Sequence, residues 1–331
     1  MTTRDELEAQ IAAAPTDDAA YVILGDLLQL DGDPRGELIA IDAAAASGGN
    51  RGVWNRRRIA LLERYPELAP AEQPGLHFTW HLGFVRRVTI DTSHELDVLD
   101  HPALRFATEV VFLDPRAADH DARKREHWVT ITRRLPLLRS LGFGDPDRRH
   151  YHYPRDRSVF DLSMLHLPRL EQLYSCEPVQ LGTAAPWLRT LRLEGDPDVL
   201  VRLQEQPLPA LERLSLRDGI TRQTSPRDRM RWLFDHPPPR LVDLELIGSE
   251  GDELVEAMVG TALLAQLRRL RLWNAGITTV GAGHLQRGFG HLELLDLSDP
   301  LIDEEVIPMV SGVCREVRTI SPWMREIIRR G

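Results

Sequence analysis

The stretch "LPALERLSLRDG", residues 208–219, decides the fold because the chain repeats its pattern many times. Close variants occur as "LPLLRSLGFGD" from 135, "LPRLEQLYSCE" from 167, "APWLRTLRLEG" from 185 and "PPRLVDLELIG" from 238. Copies without the proline occur as "AQLRRLRLWNAG" from 265, "GHLELLDLSDP" from 290 and, in weaker form, "GFVRRVTIDT" from 83. All share the spacing L-x-x-L-x-L, and a phrase repeated along a chain usually describes architecture.

The spacing of the three apolar positions predicts a short strand in each copy. The last three residues of the L-x-x-L-x-L phrase are apolar, polar and apolar, and this alternation is typical of a strand with one buried face. One such strand cannot bury its leucines alone, whereas copies stacked in a parallel sheet can. The first apolar positions are residues 85, 107, 138, 170, 188, 211, 241, 267, 292 and 317, at uneven steps of 18 to 32 residues.

From about residue 76 onward the chain resembles the leucine-rich repeat family, in which insertions between strands accommodate uneven steps. Five copies carry a proline two residues before the first leucine, which fixes an extended approach to the strand. The stretch "LRRLRLWNAGITTVGAGHL" is similar to the ribonuclease-inhibitor-like subclass. The chain departs from that subclass at the ninth repeat position, where a ladder of asparagines is replaced by Gly219, Ser249, Ala275 or Pro300. We therefore expect an irregular arc.

Residues 1–75 follow a different pattern, which predicts a small all-helical module. Thr3 and Glu6 form a capping box for a first helix, "PTDD" starts a second, and Asp33 caps a third with Pro34 at its first position. A fourth helix is predicted around "NRRRIALLERYPE". The words "GDLL" and "GDPRGELI" resemble the bacterial repeat-companion domain, and "WHLGFVRRVTI" is similar to the junction that follows that domain. The resemblance implies a fold and no chemistry.

The predicted fold class is therefore α/β. A helical repeat-companion-like module covers 1–75, and an irregular leucine-rich repeat solenoid of about nine to ten repeats covers 76–331. The parallel sheet of the solenoid lies on its concave face. The C-terminal segment "SPWMREIIRRG" predicts a cap that covers the last repeat, because an uncapped array exposes an apolar end.

Composition narrows the function classes. The net charge of −9 argues against a nucleic-acid binder, and no apolar run is long enough to cross a bilayer. The polar start "MTTRDELEAQ" shows no secretory signal, and two widely separated cysteines, Cys176 and Cys314, indicate neither a disulfide framework nor a zinc site. These features predict a cytoplasmic protein that has no membrane or nucleic-acid partner.

No motif with established chemistry occurs, whether for nucleotides, for zinc hydrolysis or for a serine nucleophile. His150 and His152 lie in a polar insertion without a third ligand at a sensible spacing, and Cys176 is interpreted as a structural thiol. The acidic cluster around Asp33 lacks a full calcium-loop pattern, so we interpret it as a helix cap in which Arg35 pairs with a neighbouring carboxylate. The sequence thus predicts no catalytic residue, no cofactor and no metal.

The outer face of the sheet remains as a candidate site. If the leucines point inward, the residues between them lie side by side on the concave face, about 4.8 Å apart from strand to strand. Their charges alternate in sign from copy to copy, which suits either lateral ion pairing or partner binding; the two are compatible. The candidate protein-binding residues are Arg192, Arg213, Arg217, Asp243, Glu245, Arg269, Arg271, Trp273 and Asp296.

From this face we predict a non-enzymatic module, a scaffold that binds an unknown protein or peptide of acidic or mixed charge. Arginine and tryptophan are enriched among the residues that dominate protein interfaces. The alternative is an inhibitor or immunity-type protein that occludes an enzyme, which rests on fold analogy alone. The sequence contains neither a recognisable pair of nucleophile and base nor a set of metal ligands that would support an enzymatic function.

Overall fold

The computed structural model describes residues 2–48, 50–71, 73–91, 96–113, 130–144, 160–162, 167–176, 179–181, 185–195, 208–218, 225–248, 250–298, 302 and 305–319. The predicted C-terminal cap and the loop that carries His150 and His152 lie outside these residues. The chain divides into two compact units. The first comprises Met1–Arg148 and Leu165–Arg169, and the second comprises Arg149–Met164 and Leu170–Gly331.

The first unit begins with four helices; the starts of the first three follow the sequence closely, and the fourth begins at Arg51, four residues before the predicted stretch. Thr3 Oγ1 accepts a hydrogen bond from the Glu6 amide at 3.3 Å and Glu6 Oε2 accepts one from the Thr3 amide at 2.8 Å, which completes the predicted capping box. Asp33 caps the third helix from its side chain. The helices are α1 (Arg4–Ala13), α2 (Asp18–Leu30), α3 (Pro34–Ala46) and α4 (Arg51–Arg64), followed by 3-10 turns at Pro66–Leu68, Leu96–Asp100 and Pro102–Leu104.

Helices α2 and α3 approach closely because glycines lie at their contact. A Cβ added to Gly36 would lie 2.6 Å from the Gly25 carbonyl oxygen and 2.6 Å from the Gln29 amide nitrogen. These distances are too short for any side chain, and both atoms belong to the backbone, which cannot move aside cheaply. The glycines of "GDLL" and "GDPRGELI" therefore set the distance between the two helices.

Arg35, in the same motif, is buried and does not form the carboxylate pair that the sequence predicted. Its Nη1 donates to the Gly83 carbonyl oxygen at 2.8 Å and its Nη2 donates to the Leu68 carbonyl oxygen at 3.0 Å. The guanidinium also lies 5.1 Å from the centre of the Phe84 ring. Arg35 thus links the helices to the first strands of the same unit.

Four strands of the first unit follow, and the first of them departs from the predicted all-parallel order. Leu82 and Gly83 both have positive φ, 45° and 78°, so they form a two-residue turn that can join only antiparallel strands. The three later strands pair in parallel. The strands are β1 (Leu76–His81), β2 (Phe84–Ile90), β3 (Glu109–Phe112) and β4 (Ser140–Phe143).

The second unit carries a parallel sheet in the order β6-β8-β9-β10-β11-β12-β13, while β5 and β7 form a separate pair. The described helices of this unit lie in the stretches between strands. Its strands are β5 (Phe160–Asp161), β6 (Gln172–Ser175), β7 (Val179–Gln180), β8 (Thr190–Gly195), β9 (Arg213–Asp218), β10 (Asp243–Ile247), β11 (Arg269–Trp273), β12 (Leu294–Leu297) and β13 (Val317–Thr319). Its helices are α5 (Pro226–Asp235), α6 (Gly251–Met258), α7 (Ala262–Gln266), α8 (Thr279–Gly288) and α9 (Val306–Val310).

The leucines of the repeated phrase form the buried side of this sheet. Leu214 pairs in register with Leu191 on one side and Leu244 on the other, and the row continues to Leu270 and Leu295. Every leucine of that row is at most 1 % exposed. The prediction that the second apolar position of each phrase points inward is therefore consistent with the structure across five strands.

A repeated backbone contact sets the register between neighbouring strands. The carbonyl oxygen of Arg189 accepts from the successive amides of Glu212 and Arg213, and the carbonyl oxygen of Glu212 accepts from Val242 and Asp243. The same arrangement recurs at the carbonyl oxygens of Glu171, Val242 and Arg268. Each strand therefore starts at the same offset from the one before it.

Side chains just before the first leucine support this register. Gln266 Nε2 donates to the Pro238 carbonyl oxygen at 2.9 Å and to the Leu241 carbonyl oxygen at 3.0 Å. His291 Nε2 lies 2.7 Å from the Leu264 carbonyl oxygen, which belongs to the copy before it. In these copies polar side chains just before the first leucine therefore contact backbone carbonyl oxygens of the preceding copy.

Candidate protein-binding surface

The side chains that alternate with the buried leucines of β8–β12 form what we call the polar face. All nine residues predicted from the sequence lie on it, in neighbouring strands. In register, one row contains Arg192, Ser215, Glu245, Arg271 and Asp296. A second row contains Thr190, Arg213, Asp243, Arg269 and Leu294, and a third contains Glu194, Arg217, Ile247 and Trp273.

Glu194 is the centre of the first charge cluster on the polar face. Its side chain is 3 % exposed, and its two oxygens lie 2.9 Å from Arg192 Nη2 and 3.4 Å from Arg217 Nη1. The guanidinium of Arg192 also lies 5.3 Å from the centre of the Tyr174 ring. One buried carboxylate thus fixes two arginines from adjacent strands, and the cluster keeps one net positive charge.

Asp243 is the centre of a second cluster of the same composition. Its side chain is 7 % exposed, and Arg271 donates to it from two nitrogens, at 2.7 Å and 3.4 Å. Arg269 Nη1 lies 4.0 Å from the same carboxylate, while the Arg269 side chain remains 53 % exposed. Arg271 is therefore held by a bidentate ion pair, and Arg269 extends towards solvent beside it.

One of the predicted residues, Asp296, is buried and has an internal contact. Asp296 is 6 % exposed and accepts a hydrogen bond from the Ser298 amide at 3.0 Å, so it terminates its own strand. Its strand neighbour Leu294 is also 6 % exposed, although its position in the phrase predicted an outward side chain. The polar face is therefore more accessible along β8–β11 than along β12.

The alternation in the sequence places Glu194 on the outer face, but Glu194 is not among the nine candidate residues, although it anchors two of the selected arginines. The missed signal is positional, because Glu194 follows the last leucine of its phrase just as Arg217 follows the last leucine of the next copy. Equivalent positions in neighbouring parallel strands lie side by side, as the register Glu194↔Arg217 shows. Opposite charges at equivalent positions of adjacent copies therefore predict a lateral pair.

Trp273 adds an aromatic side chain to the end of the polar face. It is half-buried, and its indole nitrogen is enclosed without a hydrogen-bond partner in the structure. Arg217 Nε and Ser215 Oγ, two strands away on β9, are likewise enclosed without partners. An enclosed donor without an acceptor costs free energy unless water or a ligand supplies one.

The exposed end of the polar face is positively charged. Arg213 and Arg269 are both exposed, and the register places them on either side of the buried Asp243. Over β8–β12 the face carries five arginines (192, 213, 217, 269, 271) and four carboxylates (194, 243, 245, 296), which gives a net charge of +1. Guanidinium groups bind carboxylates through two parallel hydrogen bonds, so this end of the face suits an acidic ligand.

Two negative observations concern the described part of the chain. Within it, no cluster of three or more histidine, cysteine, aspartate or glutamate side chains has the geometry to hold a metal ion. Within the same residues, no helix is both long and apolar enough to cross a membrane. Cys176, interpreted above as a structural thiol, is buried at 5 % exposure.

Comparison with known proteins gives a likeness in fold alone. No protein-family model matches the sequence, and no curated protein matches it. A crystal structure from Bacteroides fragilis, solved by the Northeast Structural Genomics Consortium, is similar with a TM-score of 0.54 and 18 % sequence identity. The similarity covers 67 % of this chain and 69 % of that one. At this identity the likeness supports the α/β architecture and no function.

Proposed function

We propose that the second unit is a non-enzymatic interaction module that binds a protein or peptide on the polar face. The observation that carries this proposal is the pair of buried carboxylates, Glu194 and Asp243: Glu194 holds Arg192 of its own strand and Arg217 of the next, and Asp243 holds Arg271 of the next strand. Fixed guanidinium groups lose less conformational entropy on binding than mobile ones do. A surface whose arginines are already ordered is thus suited to recognition.

The ligand that fits this surface is an acidic or mixed-charge segment. Arg213 and Arg269 are exposed and can donate to carboxylates, while the ring of Trp273 supplies an apolar contact at the other end of the strands. Aromatic and arginine side chains together dominate the binding energy of many protein interfaces. The two net positive clusters also favour the approach of a negatively charged partner.

We further propose that the parallel sheet is a leucine-rich repeat solenoid and that the N-terminal helices are a repeat-companion module. Three features support this: the buried leucine rows, the constant strand offset, and helices in the stretches between strands. In such an array each copy stabilises its neighbours, and the polar residues of the strands remain available for a ligand.

The test is a pull-down with the full chain from its source organism, followed by binding measurements with the captured partner. Trp273→Ala should weaken binding by about 2 kcal/mol, typical of a dominant interface aromatic, with an almost unchanged melting temperature. Arg213→Glu with Arg269→Glu should slow association and reduce its salt dependence. Arg271 is left intact because its reversal would place a glutamate against the buried Asp243.

The matched control is Arg240→Glu, an exposed arginine that precedes the first leucine of its copy and lies outside the polar face. Retention of the partner by the Trp273 and Arg213/Arg269 variants, at wild-type affinity, would refute the assignment. Capture of a single enzyme in equimolar amount and in inhibited form would identify the protein as an inhibitor using the same face.

A further inference from the structure

Helix α2 exposes an apolar stripe on the side that faces away from the core. Of the eight large hydrophobic residues that are exposed in the described part of the chain, three lie on this helix: Val22 at 40 %, Ile23 at 51 % and Leu30 at 84 %. Residues three, four and seven positions apart share one side of a helix. Ala19, Val22, Ile23, Asp26 and Leu30 therefore form one line, which we call the α2 stripe.

The opposite side of α2 already serves the fold. Ala20, Tyr21, Leu24 and Leu28 are at most 2 % exposed and belong to the core of the first unit. A helix with a complete buried side needs no apolar residues on its outer side, where polar residues would keep it equally well folded. The α2 stripe is thus not explained by packing within its own unit.

Carboxylates surround the α2 stripe. Asp18, Asp26 and Asp31 are exposed on the same helix or at its end, and Glu37 is exposed on the neighbouring α3. Residues 1–50 contain ten aspartates and glutamates but only two arginines, whereas α4 contains five arginines and one glutamate. The exposed apolar side chains therefore lie in the most acidic part of the module.

We propose that the α2 stripe binds a cationic amphipathic helix of another protein. An apolar line of about 12 residues spans roughly 17 Å, which matches three turns of a partner helix. Such a partner would present apolar residues at spacings of three, four and seven, flanked by lysine or arginine that pair with Asp18 and Asp26. This is the mode in which an amphipathic helix lays its apolar face on a complementary surface.

The basic helix α4 of a second copy does not fit this description. Its exposed apolar residues, Val53 and Ile59, are six positions apart and so lie on different sides of the helix. Its arginines also have contacts of their own, since Arg58 pairs with Asp42 and lies 4.7 Å from the centre of the Trp80 ring. The α2 stripe is therefore assigned to a different chain.

The experiment uses the full chain and a designed peptide as the probe. The peptide has about 18 residues, long enough to form a helix on binding, with leucines at positions three, four and seven apart and lysines elsewhere. One control peptide has the same composition in shuffled order, and another keeps the leucines but replaces lysine with glutamate. Fluorescence anisotropy of labelled peptides should show that the first peptide binds at least about tenfold more tightly than either control peptide.

Substitutions locate the binding surface. The double substitution Ile23→Ser and Leu30→Ser should weaken the binding of the first peptide by about tenfold or more. Ile59→Ser, which changes an equally exposed isoleucine in the basic α4, should leave affinity within about twofold. Asp18→Asn with Asp26→Asn should weaken binding by about fivefold at low salt and less at high salt. Circular dichroism of each variant should match wild type because all these side chains are exposed.

Several results would overturn the proposal. These are equal binding of the ordered and shuffled peptides, loss of binding in Ile59→Ser, and absence of binding by any peptide below about 100 μM, an affinity that such a surface should exceed. Concentration-dependent dimerisation that is lost in the Ile23/Leu30 variant would assign the stripe to a second copy instead. Trp273→Ala should leave peptide binding unchanged, so failure here and failure of the polar-face proposal are distinguishable.

Discussion

Arg35 in the first unit and Arg192 in the second show two ways in which this protein uses a guanidinium group. The head of Arg35 is enclosed, and its hydrogen bonds go to two backbone carbonyl oxygens. The head of Arg192 is held by the buried Glu194, yet the Arg192 side chain remains 34 % exposed. Arg35 therefore holds its unit together, whereas Arg192 is ordered and still accessible to a ligand.

The difference has an electrostatic consequence. Burial, together with the nearby charge of Arg105, lowers the pKa of Arg35 to about 10. Burial also lowers the pKa of Arg105, whose Nη1 lies 3.1 Å from Glu8 and whose guanidinium lies 4.8 Å from the centre of the Phe84 ring. Both groups remain charged at neutral pH. The first unit therefore holds one buried cation, Arg35, and one half-buried cation, Arg105, and carbonyl oxygens, a carboxylate and aromatic rings around them offset the loss of water.

The largest expected effect comes from a substitution that tests whether the stability of the sheet depends on its buried leucine rows. Leu214→Ala should reduce the free energy of unfolding by about 2–5 kcal/mol, because a fully buried leucine between two packed neighbours leaves a cavity. Ser215→Ala should change stability by less than about 0.5 kcal/mol, since its hydroxyl makes no hydrogen bond. Chemical denaturation checks both, and similar losses for the two variants would mean that the inward face is wrongly assigned.

The next effect tests the structural role of Arg35. Arg35→Met should cost about 2–4 kcal/mol, because the carbonyl oxygens of Gly83 and Leu68 would lose their donors in a buried place. Arg57→Met is the matched control, since Arg57 is exposed and lies over the Trp54 ring at 5.3 Å. If both substitutions lower the melting temperature equally, Arg35 does not have the structural role that distinguishes it from the exposed arginines.

A smaller effect is expected on the polar face. Glu194→Gln should cost about 1–2 kcal/mol, because Arg192 and Arg217 lose a charged acceptor but can turn towards water. Glu212→Gln should be nearly neutral, since Glu212 lies 3.8 Å from an exposed Arg189. In the Glu194 variant, the loss in free energy of partner binding should also exceed the loss in free energy of unfolding. Intact binding in a destabilised Glu194 variant would show that ordered arginines are not needed for recognition.

The smallest effect concerns Tyr21 in the module core. Burial raises its pKa to about 12, and its hydroxyl donates to the Pro15 carbonyl oxygen at 3.3 Å. Because the folded pKa lies above the unfolded value, the contribution of Tyr21 is complete below about pH 10 and is lost as pH rises towards 12. Tyr21→Phe should cost under about 1 kcal/mol at neutral pH. Denaturation at several alkaline pH values should show that this difference shrinks and then reverses, and a constant difference would contradict it.

The sequence by itself determined the parts of the structure that depend on local periodicity. The L-x-x-L-x-L spacing placed Leu214 and Leu216 on the buried side, since residues two apart in a strand share a face. Capping residues placed the starts of α1 and α3, because a side-chain acceptor near the first free amides is a local requirement. The same alternation placed the nine candidate residues on the polar face.

Only the tertiary structure decided how those residues are partnered. The antiparallel turn at Leu82 and Gly83 and the lateral pairing of Glu194 with arginines from two strands depend on which strands meet. The carbonyl partners of Arg35 lie 33 and 48 residues away in the chain, beyond the reach of any local pattern. Partner choice is set by packing at long sequence separation, where burial decides whether a charge binds backbone, a carboxylate or water.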